Sequence, residues 1–237
     1  MKGNLLFCKS AIVKALIVAV VVILVVGIGA GVYCLNFLAR NFSLFPSPQP
    51  TPSPTPTPIT VDLGEAVAGG LVQATISGDG LQRINITLRS TSDSPLEVAI
   101  LPGTMFEAQA AGVQSMVVRE EKVLSLKSRD SVLSHSVPVA CATMELDQPD
   151  ENDAFTISMI PAPEDLIKLL NLPDFHNETF RVQQFAIWTI TDNPPRDGYV
   201  GIGSFGFGSG PDDEEMQKIQ VLFEKVGIST DEYQALQ

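Results

Sequence analysis

Two adjacent glutamines, Gln183 and Gln184, stand in the apolar segment RVQQFAIW, which ends at Trp188, the single tryptophan of the chain. Placed on a helix, residues 178–191 are apolar on most sides, so at least one of the two carboxamides is expected to be buried. A buried carboxamide without a partner costs about 1–3 kcal/mol. The segment therefore predicts a buried polar site that includes Gln183, Gln184 and Trp188.

Cys141 is the only cysteine after residue 60. It lies in the strand-like segment VPVACATMEL, and a free cysteine in such a place usually behaves as a small apolar core residue. The simplest interpretation is that Cys141 packs in the core and that a glutamine amide bonds to the main chain of the neighbouring sheet.

The stretch QQFAIW resembles the T-Q-x-A-I-W motif of the thioester domains of bacterial surface adhesins. In that family the motif glutamine condenses with a cysteine, and host amines can capture the activated acyl group. The resemblance implies that Gln184 supplies the acyl group and Cys141 the sulfur, and the A-I-W that ends at Trp188 matches the motif. Gln183 stands where that family has threonine.

A longer set of segments resembles an uncharacterised family of membrane-anchored surface proteins of bacteria and archaea. The segments include LPGTMF, VACATMELDQP and LFEKVGISTDEYQAL. This resemblance implies the domain boundaries and no activity.

No other motif selects a chemistry. Gly201, Gly203 and Gly206 have the spacing of a dinucleotide-binding loop, but four acids follow, where a phosphate would be repelled. The acidic stretch ELDQPDENDAF lacks the order of an EF-hand, and no zinc or serine-nucleophile motif occurs. We therefore predict no cofactor, no metal and no enzymatic activity; a cell-envelope hydrolase or carbohydrate-active domain that uses paired carboxylates is the alternative.

The N-terminal region contains a long uncharged segment, residues 15–39. About 20 apolar residues suffice for a transmembrane helix. Three lysines among residues 1–14 place that part in the cytoplasm by the positive-inside rule, so that the C-terminal domain is extracytoplasmic. A cleaved signal peptide, whose apolar region is usually about 7–15 residues long, is the alternative. The spacing of Gly27 and Gly31 suggests a homodimer through the membrane helix.

Residues 40–60 are predicted to form a Pro/Ser/Thr-rich stalk. Within it the alternating prolines of residues 45–58 favour polyproline II geometry, which spans roughly 40 Å at ~3.1 Å per residue. Three N-glycosylation sequons lie on the same side of the predicted membrane helix, at Asn41, Asn85 and Asn177. Both features are typical of a protein displayed outside the cell.

The remaining domain, residues 61–237, holds 11 basic and 27 acidic residues and therefore a net charge of −16. Such a surface repels the phosphates of nucleic acid, so nucleic acid is excluded as a partner. It suits basic partners or divalent cations.

The fold class predicted for this domain is mainly β with α additions. Five alternating segments separated by turns indicate an immunoglobulin-like antiparallel β-sandwich over 61–160. A helical part over 161–237 contains a helix from Pro163 to Leu170, a second capped by Asn177, and a third that begins in the acids after Pro211. The segments of the sandwich are GLVQATISG, QRINITLRS, LEVAILPGTMF, SMVVREEKVLSL and VLSHSVPVACATMEL.

Together these features predict a membrane-anchored, extracytoplasmic, non-enzymatic module that binds or adheres to an unknown surface protein or glycan. A structural component of the cell envelope is the further alternative.

Overall fold

The computed structural model describes residues 57–199 and 207–237. The predicted cytoplasmic segment 1–14, the membrane helix over 15–39, most of the stalk and the glycine-rich loop 201–206 lie outside these residues, as does Asn41. Within the part of the chain that the structure describes, no helix is both long and apolar enough to cross a bilayer.

The described residues contain nine strands and five α-helices. The strands are β1 (Ile59–Asp62), β2 (Val72–Gly78), β3 (Arg83–Ser90), β4 (Leu96–Ile100), β5 (Met105–Ala108), β6 (Met116–Val118), β7 (Lys122–Leu126), β8 (Val132–Cys141) and β9 (Ala154–Ile157). The helices are α1 (Leu63–Ala68), α2 (Glu164–Leu170), α3 (Pro173–Asn177), α4 (Phe180–Thr191) and α5 (Asp213–Lys225). Short 3-10 turns occupy Arg196–Tyr199, Thr230–Glu232 and Gln234–Leu236.

Six strands close into an antiparallel barrel in the order β2-β3-β8-β6-β5-β9. The prediction of a mainly β fold with helical additions is confirmed, but the prediction of an immunoglobulin-like sandwich is wrong. Alternating strands separated by turns occur in both architectures, and the difference is whether a last strand closes the sheet. Here β9, which the sequence analysis missed, pairs with β5 and with β2 at Ile76↔Phe155 and Ser77↔Ala154.

A separate three-stranded sheet has the order β1-β4-β7, with β1 parallel and β7 antiparallel to β4. It takes one half of each of two segments that were predicted as single strands. LEVAILPGTMF turns at Pro102 and Gly103, where φ is +87° at the glycine, so β4 joins the small sheet and β5 the barrel. SMVVREEKVLSL divides in the same way into β6 and β7.

The structure contains the three predicted helices, α2, α4 and α5, and two that were not predicted, α1 and α3. One of the predicted starts is different. α2 begins after Pro163 and α5 after Asp212, which forms a capping box with Glu215. α4 is capped by Thr179, whose side chain accepts a hydrogen bond from the Val182 amide. Asn177, predicted to cap α4, is instead the last residue of the short helix α3.

One continuous core joins the barrel to the helices. On β3 the predicted alternation holds, because Ile84, Ile86 and Leu88 are buried while Asn85 is exposed. Nine consecutive residues of α4, from Val182 to Ile190, are buried, and the helix packs on β8, α2 and α5. The segment that carries both glutamines is therefore the central helix of the domain.

Candidate functional site

Gln184 lies in the interior, against the main chain of Cys141. The Cys141 amide donates to Gln184 Oε1 at 3.0 Å, and Gln184 Nε2 donates to the Cys141 carbonyl at 2.7 Å. One carboxamide thus makes the same pair of bonds that a neighbouring strand would make. Both residues are fully buried.

The position of Cys141 on β8 explains why this amide is needed. β3 pairs with β8 only as far as Pro138, and the amide of Val139 bonds to the carbonyl of Gln82 at 2.9 Å. Beyond that point β8 continues next to β6 on one side only. Because buried main-chain groups need partners, the end of β8 requires polar side chains on its other side.

Gln183 reaches the same strand end through Arg119. Arg119 Nε donates to the Val139 carbonyl at 2.9 Å, and its Nη1 donates to Gln183 Oε1. Gln183 Nε2 donates to the Glu178 carbonyl at 2.9 Å. We call Arg119, Cys141, Gln183 and Gln184 the β8-end cluster.

Arg119 is the member of this cluster that the sequence analysis missed. Its guanidinium is buried, lies 5.1 Å from the centre of the Phe180 ring, and has its pKa lowered by loss of solvent. The available signal was a lone arginine directly after the buried strand MVV. The buried carboxamide oxygen of Gln183 needs a hydrogen-bond donor, and an arginine side chain supplies one.

The Cys141 thiol and the Trp188 ring lie in apolar surroundings. Cys141 Sγ is 3.6 Å from Met116 Sδ, and burial raises the pKa of the thiol. A buried neutral thiol is a weak nucleophile. Trp188 is one turn beyond Gln184 on α4 and packs in an aromatic cluster with Phe185 and Phe207. The structure therefore brings Cys141, Gln183 and Gln184 together, and Trp188 contributes packing beside them.

A second feature is an open groove between α2, α3 and two loops of the sheets. It has a volume of about 850 Å³, and its lining includes Leu101, Pro102, Glu120, Glu121, Ile167 and His176. We call it the α2 groove. A volume of this size is in the range of ligand sites.

The lining of the α2 groove combines apolar surface with unpaired negative charge. Leu101 and Ile167 are 43% and 38% exposed. Glu120 and Glu121 are exposed, and neither takes part in an ion pair with any residue of 57–199 or 207–237. His176 Nε2 lies 2.8 Å from the Leu170 carbonyl, which fixes the ring between α3 and α2.

The loop between β9 and α2 exposes two large aliphatic residues. Met159 is 97% exposed and Ile160 is 71% exposed. The loop lies beside the β4–β5 turn, since a Cβ placed on Gly103 would meet Ala162 Cβ at 3.6 Å and Ile167 Cγ1 at 3.1 Å. Exposed aliphatic side chains at such a tip are typical of an interaction surface.

The acidic stretch from Glu145 to Asp153 is organised by its own main chain. The Asp150 amide donates to Asp153 Oδ2, and the Asn152 amide donates to Asp150 Oδ1. Among the residues whose positions are described, no three His, Cys, Asp or Glu side chains come together closely enough to hold a metal ion.

Comparisons of the chain with protein-family models, with curated proteins and with solved structures found no match.

Proposed function

We propose that this protein is a non-enzymatic binding module that residues 15–39 anchor in the membrane and the stalk displays outside the cell. The observation that carries the proposal is the α2 groove with its adjoining loop. The groove is open, partly apolar and bordered by two exposed carboxylates that form no ion pair with a described residue. A surface of this kind serves recognition, because its apolar part gains from being covered and its charges select what covers it.

The frame behind the groove supports a binding role. The turns that carry Leu101 and Glu120 each join a strand of the barrel to a strand of the small sheet, so both groove walls are fixed to the core. α2 buries Leu166, Leu169 and Leu170 and leaves Ile167 on the groove side. A site that is already formed loses little conformational entropy when it binds.

The test is site-specific photo-crosslinking on intact cells that express the full chain. A photoreactive residue replaces Ile160, exposed in the loop that leads into α2, or, as the control, the exposed Asp79 in the β2–β3 turn at the opposite end of β9. We expect a discrete adduct from position 160, reduced by Glu120→Gln with Glu121→Gln, and none from position 79. The same adducts from both positions, or none from either, would contradict the proposal.

A second candidate, an internal thioester between Cys141 and Gln184, is favoured by the contact of the Gln184 carboxamide with the Cys141 peptide. In the proposed step Cys141 Sγ attacks Gln184 Cδ, the S–C bond forms, the C–N bond breaks, and Nε2 leaves as ammonia with the thiol proton. An amine of a surface partner would later displace the sulfur. This module would then bind covalently.

Formation of the thioester would break one of these hydrogen bonds. Loss of Nε2 removes the donor that the Cys141 carbonyl now uses, and an unsatisfied buried acceptor costs about 1–3 kcal/mol. The intact mass of the full chain decides between the two states. A mass lower than that of the plain sequence by one ammonia, which then rises by the mass of one methylamine when methylamine is added, supports the thioester. The mass of the plain sequence, with a Cys141 thiol that is alkylated once the chain is unfolded, rules the thioester out.

A further inference from the structure

The charge and shape of the α2 groove specify a class of ligand. We infer that the groove binds a basic protein segment in which a Lys or Arg stands next to an aliphatic residue. This inference rests on the proposed binding function and adds the chemistry of the partner.

Glu120 and Glu121 in the β6–β7 turn are both exposed at the groove. Arg119 interacts electrostatically with Glu120, but its buried guanidinium donates to the Val139 carbonyl and to Gln183 and forms no ion pair with either glutamate. Lys168 of α2 is engaged by Glu164 at 3.0 Å and Asp165 at 3.1 Å, and Lys122 makes no ion pair with a described residue. Glu120 and Glu121 therefore have no ion-pair partner among the described residues, and both can receive a cation of the partner.

The net charge of the whole domain also favours a basic partner. The net charge of −16 over residues 61–237 disfavours acidic partners at long range and accelerates the approach of basic ones. A lysine or arginine beside Glu120 and Glu121 gains from two carboxylates at once, which sets orientation more than affinity.

Leu101 and Ile167 are the part-exposed aliphatic side chains of the groove lining. Met159 and Ile160 are two further exposed aliphatic side chains, in the loop that leads into α2. An aliphatic side chain of the partner covers Leu101 and Ile167 and removes them from water. Because the groove is open and further aliphatic residues are exposed in the loop that leads into α2, a chain segment fits this surface better than a small molecule does.

The experiment measures peptide binding to the full chain in nanodiscs of zwitterionic lipid, by fluorescence anisotropy, with empty nanodiscs as the blank. Three labelled pools of short peptides are compared: Leu or Ile beside Lys or Arg, the same with Glu in place of the cation, and the same with Ser in place of the aliphatic residue. We expect saturable binding of the first pool and weaker binding of the other two.

Variants place the binding in the groove. Glu120→Gln with Glu121→Gln is expected to weaken binding of the first pool about 2–10-fold, and Leu101→Ser is expected to weaken it as well. The matched control, Asp79→Asn with Glu151→Gln, removes the same charge from exposed residues at the opposite end of β9 and is expected to leave binding unchanged at physiological salt.

Three results would overturn the inference. Equal weakening by the control pair would mean that overall charge and not the groove attracts the peptides. Binding that depends on Leu101 but not on the peptide cation would leave the groove as the binding site and reject the basic ligand. Absence of saturable binding for all pools, together with a groove-specific adduct in the crosslinking experiment, would reject the ligand class while the proposed binding function stands.

Discussion

At the scale of single residues, the two buried glutamines are explained by a strand that is longer than its neighbour. β8 continues past the end of β3, and its last main-chain groups are bonded by Gln184 directly and by Gln183 through Arg119. The sequence predicted that a carboxamide would be buried and would need a partner. It did not predict which main chain supplies that partner, because a stagger of strand ends depends on pairings far apart in the chain.

The hydrogen-bonding role of Gln184 predicts unequal effects of two core substitutions. Gln184→Leu keeps the apolar volume but leaves the Cys141 amide and carbonyl unpaired, at about 1–3 kcal/mol for each group. Cys141→Ala keeps both bonds and removes one buried atom, at roughly 1 kcal/mol. We expect urea unfolding of the full chain to show the larger loss of unfolding free energy for Gln184→Leu. Equal losses would point instead to a bond that both side chains share, as in a thioester.

Asp192, the C-cap residue after α4, makes the stability of the fold depend on pH. Burial raises the pKa of its carboxyl and Glu145 adds to the shift, whereas hydrogen bonds from Thr191 and the Met144 amide oppose it. The folded chain thus holds this proton more tightly than the unfolded chain. The resulting stabilisation is complete below the unfolded pKa of about 3.9 and is lost as the pH rises through the higher folded pKa.

Asp192→Asn should therefore stabilise the protein at pH 7. Asparagine can keep the bond to the Met144 amide and removes a negative charge from the C-terminal end of a helix, an effect of about 0.3–1 kcal/mol. Unfolding free energies measured against pH should converge for the two proteins near pH 3. A variant less stable than the parent at pH 7 would show that the charged form is required.

At the scale of elements, α4 packs on β8 as well as on α2 and α5, and its residue Arg181 fixes the segment that leads into α5. Arg181 Nε pairs with Glu215 at 2.7 Å, its Nη2 donates to the carbonyls of Ser209 and Gly210, and its guanidinium lies 4.7 Å from the centre of the Phe185 ring. One planar side chain thereby joins the two longest helices of the described residues.

Arg181→Lys should loosen this junction, because an ammonium group cannot make the forked set of bonds. We expect a loss of about 1–3 kcal/mol in unfolding free energy and faster amide hydrogen exchange at 207–212. Arg89→Lys is the control, since Arg89 pairs with Asp130 on the surface, where a pair contributes at most about 1 kcal/mol. Similar effects of the two substitutions would contradict the role given to Arg181.

The elements also show where prediction from sequence succeeded. α2 and α5 have proline or acids at their starts and apolar residues on one face, so both could be placed from the sequence. β9 has only four residues, of which Phe155 alone is buried, so its pattern is too short to identify. Closure of the barrel depends on that strand, and for this reason the sandwich was predicted in its place.

At the scale of the whole molecule, charge and composition divide the chain into segments of different character. The uncharged segment 15–39, the proline-rich segment 40–60 and the acidic residues 61–237 follow one another along the chain. The α2 groove could not be predicted from the sequence, because Leu101, Glu120 and Ile167 come from three separate parts of the chain and meet only in the fold. Display of this groove outside the cell is the premise of the proposed function.

The most direct measurement of that premise is labelling of intact cells with a membrane-impermeant maleimide. The chain would carry Asp79→Cys together with Cys8→Ser and Cys34→Ser, and the same chain without Asp79→Cys is the control in which only the buried Cys141 remains. We predict that position 79 is labelled on intact cells and that the control is not. Labelling of position 79 only after the cells are lysed would contradict the account.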